Sequence, residues 1–138
     1  MTCAIRIAGF ISAQLLEEVR KEPQRECCGL LAGRDGVIQR VLPATNAASD
    51  PATAYEIAPK ELFRMMREMR EPGLELLGIY HSHPQGANEP SRRDIERAYY
   101  PDAAYFILSP REDAERPVRA FSIREGRATE LEIQVVPE

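Results

Sequence analysis

The 138-residue sequence predicts a single α/β or α+β domain over residues 1–138, with a mixed β-sheet flanked by helices. Two observations support this class. Helical and strand patterns alternate along the chain, which is typical of a sheet covered by helices. A hydrophobic content of 43% at this length is enough for one ordinary core. The chain shows no internal repeat, linker or second-domain signal.

The first elements predicted are a helix and a hairpin. "SAQLLEEVRKEP" offers Ser12 as an N-cap, Leu15 and Val19 on one helical face, and Pro23 as a stop. "CCGLLAG" and "VIQRVLP" predict two strands joined by the tight turn "RDG". The Asp-Gly pair favours this turn because both residues tolerate the positive φ angles that a hairpin requires.

A long loop and a second helix follow. The loop from Pro43 to Tyr55 lacks periodicity, and its length of about a dozen residues indicates that it borders a functional site. Asn46 in this loop is a candidate substrate contact. "APKELFRMMREMREPG" predicts a helix with Pro59 in its first turn. Its apolar stripe is expected in the core and consists of Leu62, Met65, Met66 and Met69.

The second half predicts two further strands, a short helix and a closing hairpin. "LELLGIY" is a strand that leads into the only two histidines of the chain, and "AAYFILS" is another strand. "SRRDIERAYY" between them predicts a short helix. The last residues form a hairpin around the turn at Glu125-Gly126.

Composition limits the partners and the compartment. The net charge is -4, and the basic residues are spread along the chain, so no nucleic-acid-binding surface is expected. No stretch is apolar enough to span a membrane, and the N-terminus lacks a secretory signal, which predicts a cytoplasmic protein. The odd set of cysteines, Cys3, Cys27 and Cys28, is expected to be reduced.

The segment "HSHPQGANEPSRRD" holds the candidate metal ligands. On a strand, His81 and His83 point to the same face, and Asp94 returns on a helix three residues after Ser91. Two imidazoles and one carboxylate with a fourth position open to water describe a catalytic zinc site. Taken alone, His-x-His is often a polar strand end, and Ser-x-x-Asp is often a capping box. The zinc deaminase pattern and the His-Glu-x-x-His pattern are absent.

The same segment resembles the JAMM, or MPN+, metalloprotease domain. That family's pattern is His-x-His-Pro, six residues, and Ser-x-x-Asp, which here runs from His81 to Asp94 with every spacing satisfied. "PQRECCGLLAG" matches the family's upstream glutamate before an apolar strand and singles out Glu26. The resemblance extends from the first helix to "YFILS". It implies a cytidine-deaminase-like fold with a curved sheet between helices.

The resemblance also implies roles for these residues. His81, His83 and Asp94 would hold one Zn²⁺ per chain, with water as the fourth ligand. Glu26 would act as general base towards that water, and the Ser91 hydroxyl would donate to the developing oxyanion. Ser82 is expected on the opposite strand face, and Glu89 is expected to be a surface charge.

The expected substrates are also those of the family. They are peptide or isopeptide bonds after the C-terminal glycines of ubiquitin-like proteins, including sulfur-carrier proteins. The partner would be the carrier's extended C-terminal tail. Two alternatives remain open. One is a metal-free MPN-type scaffold that only binds protein partners, and the other is a RadC-like protein of uncertain activity.

Overall fold

The computed structural model describes residues 4–137 and contains seven strands and three helices in that range. Each helix and strand begins close to where the local sequence pattern predicts it. The first strand is the exception, because the sequence pattern did not predict it. In chain order the elements are β1 (Ala4–Ala8), α1 (Ile11–Lys21), β2 (Cys28–Arg34), β3 (Val37–Ala44), α2 (Pro59–Arg70), β4 (Glu75–Ser82), α3 (Arg92–Glu96), β5 (Ala104–Leu108), β6 (Val118–Arg124) and β7 (Arg127–Val136).

All seven strands belong to one mixed sheet in the order β1-β3-β2-β4-β5-β6-β7. β4 and β5 are parallel, whereas β2 pairs antiparallel with both β3 and β4. β1 pairs parallel with β3 on one side and with β7 on the other, so the sheet closes on itself. The predicted mixed sheet with helices is confirmed, and its closure by β1 is an addition to that prediction.

The two longer helices cover opposite faces of the sheet. Ile11, Leu15 and Val19 of α1 are fully buried in a cluster with alternate strand residues such as Leu31 and Tyr80. The methionine stripe of α2 packs in a second cluster, against the strand residues that alternate with those of the first cluster. These include Leu30, Ile79 and Ile107. Successive residues of a strand point to opposite faces of the sheet. Since both clusters contain strand residues, the central strands are apolar on both faces.

The turns confirm the hairpin predictions, whereas the predicted cap of α1 is wrong. Asp35 and Glu125 have φ of 56° and 52°, and each precedes a glycine that also has positive φ. Helix α1 begins at Ile11 with Phe10 at the N-cap and no side-chain cap, so Ser12 lies inside the helix. The burial of Ile11 in the core explains why the helix begins before the serine.

Two predictions made from composition concern the compartment and the cysteines. Within residues 4–137, no helix is long and apolar enough to cross a membrane. The cytoplasmic location stays a prediction. Cys27 and Cys28 are free thiols, as expected, and Cys28 is buried. Cys3 lies outside the described residues.

Candidate active site

Two adjacent elements supply the three predicted metal ligands. His81 lies at the end of β4, and His83 follows the strand, where its backbone N–H donates to the Leu108 carbonyl of β5. Asp94 is the third residue of the short helix α3 and lies in its first turn. The chain between them turns through Gly86, whose φ of 80° is the left-handed conformation that glycine adopts without strain.

The donor atoms of these side chains converge on one point. The Nε2 atoms of His81 and His83 are 3.2 Å apart. His81 Nε2 lies 3.2 Å from Asp94 Oδ1, and His83 Nε2 lies 3.1 Å from Asp94 Oδ2. These three residues therefore form a group that can hold a metal ion.

The hydrogen bond on the far side of the His83 ring fixes its tautomer. His83 Nδ1 lies 3.0 Å from the Ala87 carbonyl oxygen, which can only accept, so Nδ1 carries the hydrogen. In the neutral ring, Nε2 then directs a lone pair towards a carboxylate oxygen of Asp94. Two acceptors approach this closely only when a cation or a proton lies between them, which fits a metal-ligating pair.

Charge and burial push the pKa values of the three ligands in different directions. Burial lowers the pKa of His81, which is only 1% exposed. Burial acts to raise the pKa of Asp94, but its close contacts with the two histidine rings outweigh burial and hold that pKa well below its usual range. Burial acts to lower the pKa of His83, but its contacts with Asp94 and the Ala87 carbonyl outweigh burial and raise that pKa. Asp94 is therefore ionised and ready to bind a cation.

His81 has a neighbour that sequence reasoning missed. The ring of Tyr55 stacks on the His81 ring with centroids 4.4 Å apart and planes 18° from parallel. His81 Nδ1 is buried and has no hydrogen-bond partner among residues 4–137, so stacking fixes the ring where a hydrogen bond does not. Tyr55 lies at the end of the long loop that was expected to border a site, but no feature of the sequence distinguished it from the other residues of that loop.

The register between β2 and β4 brings Glu26 to the metal ligands. Cys28 pairs with His81 in an antiparallel ladder, and the Ser82 N–H donates to the Cys27 carbonyl. One residue beyond the bond between Ser82 and Cys27, the same register sets Glu26 opposite His83. Glu26 is only 6% exposed, and burial raises its pKa to about 7.

Ser91 combines a structural contact with a free donor. It is the N-cap of α3: its Oγ accepts from the Asp94 N–H at 3.1 Å, and its own N–H donates to Asp94 Oδ2 at 2.9 Å. This capping box holds the Asp94 carboxylate in place, and the Ser91 hydroxyl hydrogen remains available for another acceptor. Ser82 lies on the other face, as predicted, where its Oγ accepts from the Cys27 N–H.

A cavity of about 800 Å³ opens beside these groups. Glu26, His83, Ser91 and Asp94 all line it, together with residues 52–55 of the long loop and the two residues that follow them. The prediction that this loop borders a site is confirmed. The cavity also has apolar and aromatic walls, which include Leu62, Ile79, Tyr100 and Tyr105.

Two further predictions have different outcomes. Glu89 is exposed, as expected, with its carboxylate 3.9 Å from Arg119. Asn46 does not line the cavity, because both ends of its carboxamide bond to backbone groups of the chain itself. The substrate contact of Asn46 stays a prediction, and its hydrogen bonds indicate another role. Sequence reasoning missed Asn88, a buried side chain in the loop of residues 84–90 between His83 and Ser91, called the motif loop below.

Comparisons with known proteins agree with this geometry. The family model of prokaryotic homologs of the JAB domain matches residues 11–124. A probable TtuB-protein conjugate cleaving protease of Thermus thermophilus is 39% identical over 126 residues, which cover 88% of this chain and 80% of that protein. A CysO-cysteine peptidase of Mycobacterium tuberculosis is 34% identical over 95% of this chain and 90% of its own.

A solved structure also resembles this chain over nearly its whole length. Protein DSY2949 of Desulfitobacterium hafniense superposes with a TM-score of 0.84 and 31% sequence identity, over 97% of this chain and 94% of its own. The resemblance that the motif indicated is thereby confirmed over nearly the whole chain. The chain belongs to the prokaryotic JAB-domain family of JAMM-type proteins.

Proposed function

We propose that this chain is a zinc-dependent metallopeptidase. It hydrolyses the peptide or isopeptide bond after the C-terminal glycines of a ubiquitin-like protein of the sulfur-carrier type. The observation that carries this proposal is the convergence of His81, His83 and Asp94 within a cavity that Glu26 and Ser91 also line. The relatives named as a conjugate-cleaving protease and as a CysO-cysteine peptidase support the same activity.

The donor set fits zinc, with one ion per chain. Two imidazole nitrogens and one carboxylate oxygen are typical ligands of catalytic zinc, which keeps a fourth position open. In a tetrahedral site with bonds of about 2.0–2.2 Å, neighbouring donor atoms lie about 3.3–3.6 Å apart. The two Nε2 atoms are 3.2 Å apart, close to that range, and one ligand atom from each of the three residues lies within 4.8 Å of the others. The shortest contacts to Asp94 are made by different oxygens, Oδ1 to His81 at 3.2 Å and Oδ2 to His83 at 3.1 Å.

The side chains of the site divide the chemistry. When bound, zinc would supply a Lewis acid for the scissile carbonyl and lower the pKa of a water to about 7. Glu26 accepts the proton of the attacking water and returns it to the leaving nitrogen as the bond breaks. Its buried carboxyl suits both tasks, because a raised pKa makes it a stronger base near neutral pH.

Ser91 and the cavity serve the substrate. The Ser91 hydroxyl donates to the oxygen of the scissile carbonyl as negative charge develops there. An extended tail ending in two glycines would follow the cavity towards the ligands, and we expect bulky side chains beside the scissile bond to slow cleavage. The complete ligand set argues against a metal-free scaffold, and the buried Glu26 argues for a peptidase over a RadC-like role.

The test uses carriers taken from the two named relatives. CysO extended by a cysteine and TtuB conjugated to a lysine side chain are each built with tails that end in Gly-Gly or in Leu-Leu. We expect cleavage of the Gly-Gly forms by zinc-loaded protein, none after chelation, and recovery when zinc is added. Elemental analysis of the purified protein measures zinc per chain. Equal rates on both tails, or cleavage by chelator-treated protein, would refute the proposal.

A further inference from the structure

We propose that Asn46 and Asn88 are paired positioning residues, each holding one half of the active site. Asn46 holds the half that contains the general base, and Asn88 holds the half that contains the ligand His83. Neither side chain lines the cavity. The inference rests on the proposed function for its catalytic readout, but its metal-binding readout is independent of catalysis.

Asn46 ties the long loop to the backbone of the general base. Its Nδ2 donates to the carbonyls of Glu26 and Ala54, both at 2.9 Å. Its Oδ1 accepts from the N–H groups of Ala48 at 3.0 Å and Glu56 at 3.2 Å. Carbonyls surround one end and N–H groups the other, so only one orientation of the carboxamide satisfies all of them.

These bonds reach both the base and Tyr55. The Glu26 N–H donates to the Pro51 carbonyl at 2.7 Å, so both backbone polar groups of Glu26 bond to the loop or to Asn46. Tyr55 lies between Ala54 and Glu56, the two residues that Asn46 binds, and stacks on His81. Asn46 therefore sets the position of Glu26 relative to the metal ligands.

Asn88 holds the motif loop against the backbone in the same way as Asn46 holds the long loop. It is 8% exposed, and its Nδ2 donates to the carbonyls of Ile107 at 3.2 Å and Arg116 at 2.8 Å. These bonds anchor the loop to the end of β5. The residue before it, Ala87, offers the carbonyl that accepts from His83 Nδ1. Asn88 therefore fixes the acceptor that selects the metal-binding tautomer of His83.

The two roles predict different defects from one chemical change. Replacing either asparagine with aspartate keeps the shape but turns the Nδ2 donor into an oxygen that faces two carbonyls. For Asn46→Asp we expect kcat to fall by about 10- to 100-fold, because the base is displaced, with KM within about threefold of wild type. Zinc affinity should fall less than in Asn88→Asp, because the Asn46 bonds reach the ligand His81 only through the stacking of Tyr55. For Asn88→Asp we expect the zinc Kd to weaken by about 10- to 100-fold, with kcat at saturating zinc near wild type.

The experiment measures zinc Kd by competition with a chromophoric chelator, and kcat and KM on CysO extended by a cysteine through a Gly-Gly tail. Asn46→Ala and Asn88→Ala remove the same bonds without adding charge, and they replace the aspartate variants if those fail to fold. Melting temperature is measured for every variant. A crossed result, with kcat lost in the Asn46 variant and zinc affinity lost in the Asn88 variant, supports the proposal.

Other outcomes overturn it. If both variants lose zinc affinity and kcat in equal proportion, or change only the melting temperature, the side chains have no separate positioning roles. If wild-type protein binds zinc but cleaves no carrier, the proposed function fails, while an unchanged zinc Kd in Asn88→Asp would still refute the role of Asn88. The two failures are therefore distinguishable.

Discussion

Replacing Glu26 with glutamine tests the assignment of the general base. Glutamine keeps the size of the side chain but cannot accept a proton at its amide under assay conditions. The ligand atoms belong to other residues, so zinc content should not change. A matched control is Glu89→Gln, which makes the same chemical change on an exposed carboxylate of the motif loop.

The expected loss follows from the burial of Glu26. The residue is only 6% exposed, so few solvent molecules are placed to replace its carboxylate as a proton acceptor. Loss of a positioned general base lowers kcat by about 10² to 10⁴, which corresponds to about 2.7 to 5.5 kcal/mol in the activation barrier. Glu89→Gln should leave kcat within about twofold, as expected for a solvated surface charge.

Burial of the same group also predicts an effect on stability that needs no substrate. Folding raises the Glu26 pKa from 4.5 to about 7, so the folded chain binds this proton more tightly than the unfolded chain. Wild-type stability therefore falls as pH rises through that window. Metal-free Glu26→Gln lacks this penalty and should be more stable than wild type above that window, by at most about 3 kcal/mol.

The assays are steady-state cleavage of a Gly-Gly carrier, elemental analysis for zinc, and urea unfolding of chelator-treated protein at about pH 4 and about pH 8. The stability gain should disappear at the lower pH, where the carboxyl is protonated in both states. If folded, zinc-loaded Glu26→Gln cleaves as fast as wild type, Glu26 is not the base. If it gains no stability at the higher pH, the carboxylate is not a buried charge.

Three other substitutions test the ligands and the packing around them. Asp94→Ala removes a ligand, so zinc content by elemental analysis and cleavage should be lost together; full zinc occupancy would contradict its role. Ser91→Ala should keep zinc, lower kcat by about 10² to 10³, and reduce the free energy of unfolding by about 1 kcal/mol through the lost cap, measured by urea titration. Gly29→Ala adds a Cβ that overlaps the Leu42 carbonyl and the Tyr80 ring, and should destabilise by about 1–3 kcal/mol.

Local patterns account for the elements that were predicted. Helix α2 was predicted from Pro59 and the methionine stripe, because first-turn proline and helical spacing are properties of a short segment. Both hairpins follow from two-residue turns whose second residue is a glycine with positive φ, and in the first of them Asp-Gly is a favoured pair. Strand β1 was missed because its partners are β3 and the distant β7, and five residues carry too little pattern to reveal that pairing.

The candidate metal site could be predicted from one short segment of the chain. Both histidines, Ser91 and Asp94 lie within one short segment, so a strand end, a turn and a helix start are enough to bring their side chains together. Glu26 is far from them in the chain, and it was found only because the segment around it resembles the family's pattern. The register of β2 against β4 then explains its proximity to His83 in physical terms.

The residues that support this site could not be identified before the fold was known. Tyr55 stacks on His81, and Asn46 binds the Glu26 carbonyl, because the long loop folds back against the ends of β2 and β4. Such a loop has no hydrophobic period from which its path could be read. An asparagine that holds backbone groups looks in sequence like an asparagine exposed to solvent. What distinguishes the two is the set of carbonyls and N–H groups around the side chain, and folding alone assembles that set.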